Sequence, residues 1–432
     1  MKKENTNKLT WRRLDNSSKI FPMSTGEKYS TVFKLSVVLK NEVQPEFLQK
    51  AVVNALEKYQ AFKVRMKPGL FWYYLEQNNK EPLVEEERDY PCKYINPRRN
   101  RGYLFKVTYF KNKINIDIFH ALTDGSGGTI FFREIIYTYL DMCYPNELKE
   151  ENRKTKKIEY DIEDSYIKNY SKKSKSNTTS SRAYELTGKN IKLGAISAIH
   201  QIIDSEKLKK ECEKYEVSVT QYLTAVLMYA IYNENYLKNK GSKPLKICIP
   251  VNLKKYFPSK TISNFFSYIY VSGKMKEDNL DTFEKIMVFV KKEFKEKLTE
   301  EEILKTMSAN VKLGNNILIR SIPLILKNLI VRLSYLEIRK HSTITYSNTG
   351  RVGIMGEYQN YIDYFIVLIS PDPIERIKCS SCTFENKIVF TFTSILNNNN
   401  IEKAFYEFLI NKGIDVNIES NGVLDDISTE NK

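Results

Sequence analysis

The stretch INIDIFHALTDGSGG, residues 114–128, is the part of the sequence that decides the fold. Its first half alternates isoleucine with polar residues, which is typical of a half-buried strand and places Ile114, Ile116 and Ile118 on one face. His120 continues that row, so we expect its imidazole at the mouth of the strand, partly desolvated. An imidazole in such a place can stay neutral near pH 7 and accept a proton.

An aspartate, Asp124, follows this histidine by four residues in a loop that is rich in glycine. Glycines at 125, 127 and 128 allow the loop to turn sharply and to bring its backbone close to a ligand. In a chain with three histidines, a chance His-x-x-x-Asp-Gly is expected in roughly 0.6% of cases. Two interpretations stay open: Asp124 acts together with His120, or it caps the helix that follows.

Strands and helices are predicted on both sides of this motif. In the first half they are strands over 31–40, 104–110 and 114–120, a helix after Pro45 and an aromatic-rich helix over 129–140. In the second half they are strands over 195–203, 246–251, 265–271, 343–347, 364–370, 374–383 and 387–395 and helices over 280–297, 300–312 and 400–412. The fold class predicted is therefore α/β, with mixed sheets of the α+β kind.

One segment, residues 149–182, differs in composition from the rest, being rich in Lys, Ser, Asn and Thr and poor in apolar residues. We interpret it as a linker. It divides the chain into an N-terminal half, residues 1–185, which carries the motif, and a C-terminal half, residues 186–432, which ends in a polar tail.

The overall composition excludes several classes of protein. With 432 residues, 42% apolar and 28% charged, the chain is neither disordered, nor collagen-like, nor a disulfide miniprotein. The net charge of +16 is spread along the chain rather than concentrated in one stripe. We therefore expect no nucleic-acid partner.

Cysteine usage and apolar runs bear on the compartment. The six cysteines form no disulfide framework, and their spacing indicates no metal site, which favours a reducing cytoplasm. No apolar segment follows the basic N-terminus, so no signal peptide is expected. The apolar run 318–338 is interrupted by charges, which favours a packed helix over a membrane anchor, and no transmembrane segment is predicted.

The motif also carries a resemblance to a known family. HALTDG at 120–125, between a strand and a helix, resembles the His-x-x-x-Asp-Gly signature of the chloramphenicol-acetyltransferase-like superfamily, which includes BAHD acyltransferases, alcohol acetyltransferases and nonribosomal condensation domains. PVNL at 250–253, SNFF at 263–266 and SNTGRV at 347–352 resemble later segments of these enzymes. The chain is most similar to bacterial alcohol-acetyltransferase-like proteins.

The resemblance implies a fold of two similar halves that meet at a central tunnel, with an acyl thioester entering at one end and an acceptor at the other. It implies that His120 is the general base, which takes a proton from the acceptor hydroxyl or amine. It further implies that Asp124 braces the loop by pairing with an arginine, for which Arg351 and Arg320 are candidates, and that Gly125 leaves room at the tunnel wall.

Four polar residues in the later segments are candidates for lining the tunnel or for donating to a developing oxyanion, although residues of these types also commonly end strands and form turns: Asn252, Asn264, Ser347 and Asn348. The other two histidines, His200 and His341, have no Asp-Gly partner, and we interpret both as structural.

The function implied is a CoA-dependent O- or N-acyltransferase. Its co-substrate is acyl-CoA, its acceptor a small alcohol or amine, and it needs no tightly bound cofactor and no metal. Amide-forming condensation on carrier-protein thioesters is an alternative, although Phe119 stands where condensation domains usually carry a second histidine. A third possibility is a catalytically silent module that binds an acyl thioester.

Overall fold

A computed structural model of the chain describes residues 11–148, 160–172 and 181–424, and in these residues the strands form three sheets. The five-stranded sheet has the order β12 (Ile362–Ile369), β2 (Val32–Leu39), β7 (Lys113–Phe119), β6 (Phe105–Phe110) and β5 (Val84–Glu86). Its neighbours are antiparallel except for the parallel pair β5 and β6. One edge of this sheet is thus supplied by β12, from the second half of the chain.

The largest sheet has seven strands, in the order β10 (Phe266–Gly273), β9 (Leu245–Asn252), β11 (Ile344–Arg351), β13 (Ile377–Phe384), β14 (Lys387–Ser394), β8 (Ser197–Asp204) and β15 (Val416–Ser420). It is mixed, because β11 runs parallel to both of its neighbours while the other pairs are antiparallel. A small third sheet consists of β1 (Trp11–Arg13), β4 (Tyr73–Gln77) and β3 (Val64–Pro68).

Helices flank the two large sheets. They are α1 (Phe21–Ser24), α2 (Pro45–Lys58), α3 (Gly125–Cys143), α4 (Ser165–Lys168), α5 (Ser205–Lys214), α6 (Val219–Ile231), α7 (Phe283–Lys297), α8 (Glu300–Gly314), α9 (Ile317–Ser321), α10 (Leu324–Arg339) and α11 (Asn400–Asn411), together with 3₁₀ or π turns at Gln60–Phe62, Tyr232–Tyr236, Leu253–Lys255 and Gly356–Tyr361. Pro45 occupies the first turn of α2, where its missing N–H costs no hydrogen bond. Asp124 caps α3.

Two large apolar clusters form the core. One lies between the five-stranded sheet and α2 and α3, and the other lies between the seven-stranded sheet and α5, α6, α7, α8 and α11. The sheets also face each other: Thr393 Oγ1 donates to Ile369 O at 2.6 Å, and Cys382 Sγ donates to Phe365 O at 3.1 Å. Because β12 is covered on both faces, five consecutive residues of it, 364–368, are apolar.

This architecture confirms the predicted mixed α/β fold. The aromatic-rich helix begins at Gly125 rather than at 129, because the Asp124 cap starts the helix within a run of glycines that have poor helix propensity. Most of the predicted linker, together with the end of the polar tail, lies outside the described residues. Within it, residues 160–172 are described and include the short helix α4. The division at residue 185 stays a prediction.

The run 318–338 is not the packed helix that the sequence predicts. It is divided into α9 and α10, and α10 leaves most of its apolar side chains exposed. The helix instead turns Lys327 inward, where its Nζ donates to Phe71 O at 2.9 Å. Asn328 Nδ2 donates to Tyr73 OH at 3.2 Å. A buried ammonium needs such acceptors, so they set which face of the helix is buried.

The glycines of the motif allow the two halves to approach closely. Gly127 lies against the backbone that precedes β10, and a Cβ atom built on it would lie 2.3 Å from Ile262 O and 2.1 Å from Thr123 Oγ1. Thr123 Oγ1 in turn donates to Ile262 O at 2.5 Å. A Cβ on Gly125 would meet only Thr349 Cγ2, at an ordinary 3.7 Å. The close approach therefore requires glycine at 127 but not at 125.

Replacing Gly127 by alanine is expected to lower the free energy of unfolding by at least about 2 kcal/mol, because the added methyl must push backbone apart at the junction. Gly125→Ala is the matched control, and its unfolding free energy should stay within about 0.5 kcal/mol of the wild type. Urea unfolding followed by circular dichroism measures both. Equal stabilities of the two variants would contradict this account of the junction.

Candidate active site

His120 lies directly after β7, at the junction of the two halves. Its backbone N–H donates to Thr31 O at 3.0 Å, which extends the strand pairing by one residue. The ring is stacked on Phe21 with centroids 4.6 Å apart, and Phe33 and Phe266 each lie 5.2 Å away. His120 also lines a cavity of about 760 Å³. The imidazole therefore stands at the mouth of the strand, as the alternation predicts, and in an aromatic setting.

The tautomer of His120 follows from its hydrogen bond to Asn264, whose Oδ1 lies 2.9 Å from His120 Nδ1. The Nδ2 atom of Asn264 donates to His120 O at 2.9 Å and to Ser18 Oγ at 2.8 Å. Because a carbonyl oxygen can only accept, these contacts fix the orientation of the amide and leave Oδ1 as the acceptor. Nδ1 of the imidazole must then carry the hydrogen, and Nε2 keeps its lone pair.

A second layer holds Asn264 in place. The Asn264 N–H donates to Asp15 Oδ2 at 3.2 Å, and Nδ2 lies 3.4 Å from the same oxygen. Asp15 also accepts from Ser18, from the backbone N–H at 2.8 Å and from Oγ at 2.5 Å. Burial raises the pKa of the Asp15 carboxyl. Asp15 and Ser18 belong to no motif, so sequence reasoning missed them.

Burial also lowers the pKa of His120 below its usual value of 6.5, because the charged form loses hydration. Asp124 and Asn264 oppose that effect, but desolvation is larger. The neutral form, which is the one able to accept a proton, therefore dominates at pH 7. His200 differs: it is buried, its Nδ1 lies 3.0 Å from Thr391 Oγ1, and it does not line the cavity.

Asp124 joins the two halves without an arginine. Its Oδ1 accepts from Gly127 N–H at 2.9 Å, which caps α3, and its Oδ2 accepts from Phe265 N–H at 2.9 Å, just before β10. In the part of the chain that the structure describes, neither Arg351 nor Arg320 pairs with it, so the expected arginine brace is wrong. Backbone N–H groups supply the stabilisation that an arginine would give. Asp124 thus both caps the helix and belongs to the site.

The cavity brings together six of the seven predicted site residues. Three of the six, His120, Asp124 and Gly125, come from the first half of the chain. The other three come from the second half: Asn252, Ser347 and Asn348. The remaining residue, Asn264, is fully buried behind the histidine rather than at the cavity wall.

The hydrogen bonds of Asn252, Ser347 and Asn348 show which of these side chains are free to bind a ligand. Asn348 is engaged at both ends: its Nδ2 donates to Thr220 Oγ1 at 2.9 Å and its Oδ1 accepts from Gly350 N–H at 2.8 Å. Asn252 Oδ1 accepts from Lys254 N–H at 3.0 Å, which leaves its Nδ2 without a partner among the described residues. Ser347 Oγ likewise has none there. These two groups remain able to donate to a ligand.

The cavity wall carries more positive than negative charge. Its cationic lining residues are Arg133, Lys255, Lys295 and Arg351, whereas Asp124, which is occupied by backbone N–H groups, is the acidic one. Sequence reasoning missed the first three of these cations, because they lie on separate elements that only the fold brings together. An anionic ligand is the kind that such a wall attracts.

This chain is similar to known proteins in its fold and, in its middle part, in its sequence. The model of the alcohol acetyltransferase family matches residues 165–362, just under half of the chain. No curated protein sequence matches this chain. Among solved structures, trichothecene 15-O-acetyltransferase TRI3 from Fusarium sporotrichioides has 8% identity and a TM-score of 0.60, covering 93% of this chain and 95% of its own.

Two further structures are similar over comparable lengths. TRI101 from F. sporotrichioides, complexed with coenzyme A and T-2, has 12% identity and a TM-score of 0.60, covering 92% of this chain and 97% of its own. The epimerization domain from the third module of tyrocidine synthetase B has 11% identity and a TM-score of 0.56, covering 93% and 97%. At these identities the likeness concerns the fold. The resemblance predicted from HALTDG is confirmed: the chain has the fold of the chloramphenicol-acetyltransferase-like superfamily, and its middle part matches the alcohol acetyltransferase family.

Proposed function

We propose that this chain transfers an acyl group from acyl-CoA to the hydroxyl or amine of a small acceptor, with His120 as general base. The observation that carries the proposal is the neutral imidazole whose Nδ1–H is fixed by Asn264, at the wall of a cavity between the two halves. The alcohol acetyltransferase match and the acetyltransferases of the same fold support acyl transfer in general.

In the proposed reaction, Nε2 of His120 takes the proton of the acceptor as its oxygen or nitrogen attacks the thioester carbonyl carbon. A tetrahedral intermediate forms, and its oxyanion needs hydrogen-bond donors. Asn252 Nδ2 and Ser347 Oγ are the lining donors that the surrounding protein leaves unused. When the C–S bond breaks, the imidazolium returns the proton to the departing thiolate, so the products are the ester or amide and the free thiol.

The remaining motif residues position the base. Asp124 holds the start of α3 against β10, and Gly125 forms the wall beside Thr349. The role of Gly125 in leaving room for substrate stays a prediction. The chemistry proposed needs neither a metal nor a tightly bound cofactor, since proton transfer and attack use the histidine alone.

The charge of the cavity wall favours acyl-CoA over a carrier-protein donor. The phosphates of CoA are anionic, and Lys255 and Lys295 present exposed ammonium groups at the cavity. A carrier protein delivers its thioester on a phosphopantetheine arm that lacks the nucleotide. The cytoplasm, where acyl-CoA is found, is the proposed compartment, and the six free cysteines fit a reducing setting.

His120→Ala should reduce the rate of acyl transfer by about 10²–10⁴, because positioned proton transfer is lost. Release of free thiol from acetyl-CoA, in the presence of a panel of alcohols and amines, measures the rate. In the wild type the rate should be constant above pH 6.5 and fall at lower pH, since the pKa of His120 lies below 6.5 and protonation removes the base. His341→Ala, outside the cavity wall, is the control. Unchanged turnover in His120→Ala would remove this residue from the reaction.

Asn264→Ala should lower kcat by at least about tenfold and leave KM nearly unchanged, because the amide positions the imidazole without lining the cavity. Nitrogen NMR of labelled protein should find one His120 tautomer in the wild type and a mixture in the variant. Asn78→Ala is the matched control, since Asn78 is as deeply buried but donates to Arg101 O far from the site. If kcat fell equally in Asn264→Ala and Asn78→Ala, the role of Asn264 would be structural only.

Replacing Lys255 and Lys295 together by alanine should raise KM for acyl-CoA by at least about fivefold, because two cations near the phosphates are removed. KM for the acyl thioester of N-acetylcysteamine, which lacks the nucleotide, should not change. Lys292→Ala is the control on the same helix, since this lysine is outside the cavity wall. An unchanged KM for acyl-CoA would instead favour a carrier-protein donor.

A further inference from the structure

The helix α10 presents an apolar surface to solvent. Five aliphatic side chains on its outer face, which we call the apolar ridge, are between 50% and 84% exposed: Ile325, Leu326, Leu329, Ile330 and Leu333. They recur at intervals of three and four residues, so they share one face of the helix. Contiguous apolar patches of this kind mark interaction sites on folded proteins.

The ridge is exposed because polar groups on the opposite face of α10 bind the rest of the protein. Lys327 Nζ donates to Phe71 O and lies 3.7 Å from the centroid of the Trp72 ring. Leu324 N–H donates to Leu70 O at 2.9 Å. Turning the ridge inward would expose these contacts and leave the ammonium unpaired. These contacts therefore keep the apolar ridge facing the solvent.

Apolar exposure continues on both sides of the ridge. Ile317 and Leu318, on α9 just before it, are 77% and 76% exposed. Leu70 and Phe71, at the tip of the turn between β3 and β4, are exposed beside the start of α10. The exposed apolar surface thus extends from a helix of sixteen residues to a neighbouring turn. It is larger than the single exposed apolar side chains that are common on protein surfaces.

The charges within the segment that carries the ridge are of one sign. Residues 311–336 contain no acidic residue and four basic ones, Lys312, Arg320, Lys327 and Arg332. Of these, Arg320 and Arg332 are exposed, and Arg332 lies within α10 itself. The first acidic residue beyond them, Glu337, already pairs with Arg182 and Lys340.

This charge distribution distinguishes between the two partners that could cover the apolar ridge, a second copy of the chain and a lipid surface. A second copy of the chain would bring the patch against itself, and residues 311–336 of that copy offer the arginines no acidic partner. An anionic lipid surface offers apolar tails to the leucines and phosphates to the arginines at once. Charge complementarity therefore favours the lipid surface.

We infer that α10 docks the protein onto an anionic membrane surface, lying in the plane of the interface with its apolar ridge among the acyl chains. In the described residues no helix is long and apolar enough to cross a bilayer, and α10 has 16 residues. The inner face of α10 stays on the protein, where it also packs against α1. The association is thus peripheral and does not depend on the proposed reaction.

Flotation of the purified full-length chain with vesicles tests this inference. Vesicles of equal parts phosphatidylcholine and phosphatidylglycerol should carry the protein upward, and pure phosphatidylcholine vesicles should carry much less. The variant I325Q/L329Q/L333Q should bind at least about tenfold more weakly, because three inserted side chains are lost. R320Q/R332Q should lose about fivefold per arginine on the anionic vesicles.

A matched variant controls for general loss of surface hydrophobicity. L193Q/L237Q/V288Q changes three exposed aliphatic residues elsewhere and should bind vesicles as the wild type does. All substituted residues are exposed, so thermal melting should be unchanged, and an unchanged melting temperature excludes loss of fold as the cause of weaker binding. Two results would overturn the inference: no flotation of the wild type, or sedimentation of the wild type as a dimer that I325Q/L329Q/L333Q converts to a monomer.

Discussion

The arrangement of this protein depends on two buried polar side chains that join its halves. Asp124, from the first half, accepts the N–H of Phe265 in the second, and Asn264, from the second half, accepts the imidazole N–H of His120 in the first. Both are buried, and an unpaired buried polar group is costly, so each needs its partner from a distant part of the sequence. The histidine therefore acquires its defined tautomer through a partner 144 residues away in the sequence.

Much of this structure could be predicted from hydrophobic periodicity. The alternation of Ile114, Ile116 and Ile118 gave the correct strand and placed His120 at its mouth, because all three isoleucines face one core and are fully buried. Seven strands of the second half, β8 to β14, agree with their predicted positions to within a few residues, whereas β15 was not predicted and lies mostly in the segment that we interpreted as a polar tail. One side of the seven-stranded sheet faces helices, and on the other side β13 and β14 face β12.

Contacts between distant residues could not be predicted. Nothing in the local sequence around Asn264 indicates that its amide holds an imidazole, and Asp15 and Ser18 support it from a segment without any motif. The arginine brace was expected from resemblance, but two backbone N–H groups take its place at Asp124. The packed helix predicted over 318–338 was wrong for the same reason, since Phe71 O, an acceptor far off in sequence, holds Lys327 inward and leaves the apolar side chains of α10 outside.

The position of β12 has a consequence for the independence of the two halves. This strand, from late in the chain, pairs with residues 33–39 of β2 and closes one edge of the five-stranded sheet. A fragment that ended before Ile362 would leave β2 with a row of unpaired N–H and C=O groups. Such an edge templates pairing with other chains. The five-stranded sheet is thus completed only after residue 369 has been synthesised, and folding of this chain during translation must protect an open sheet until then.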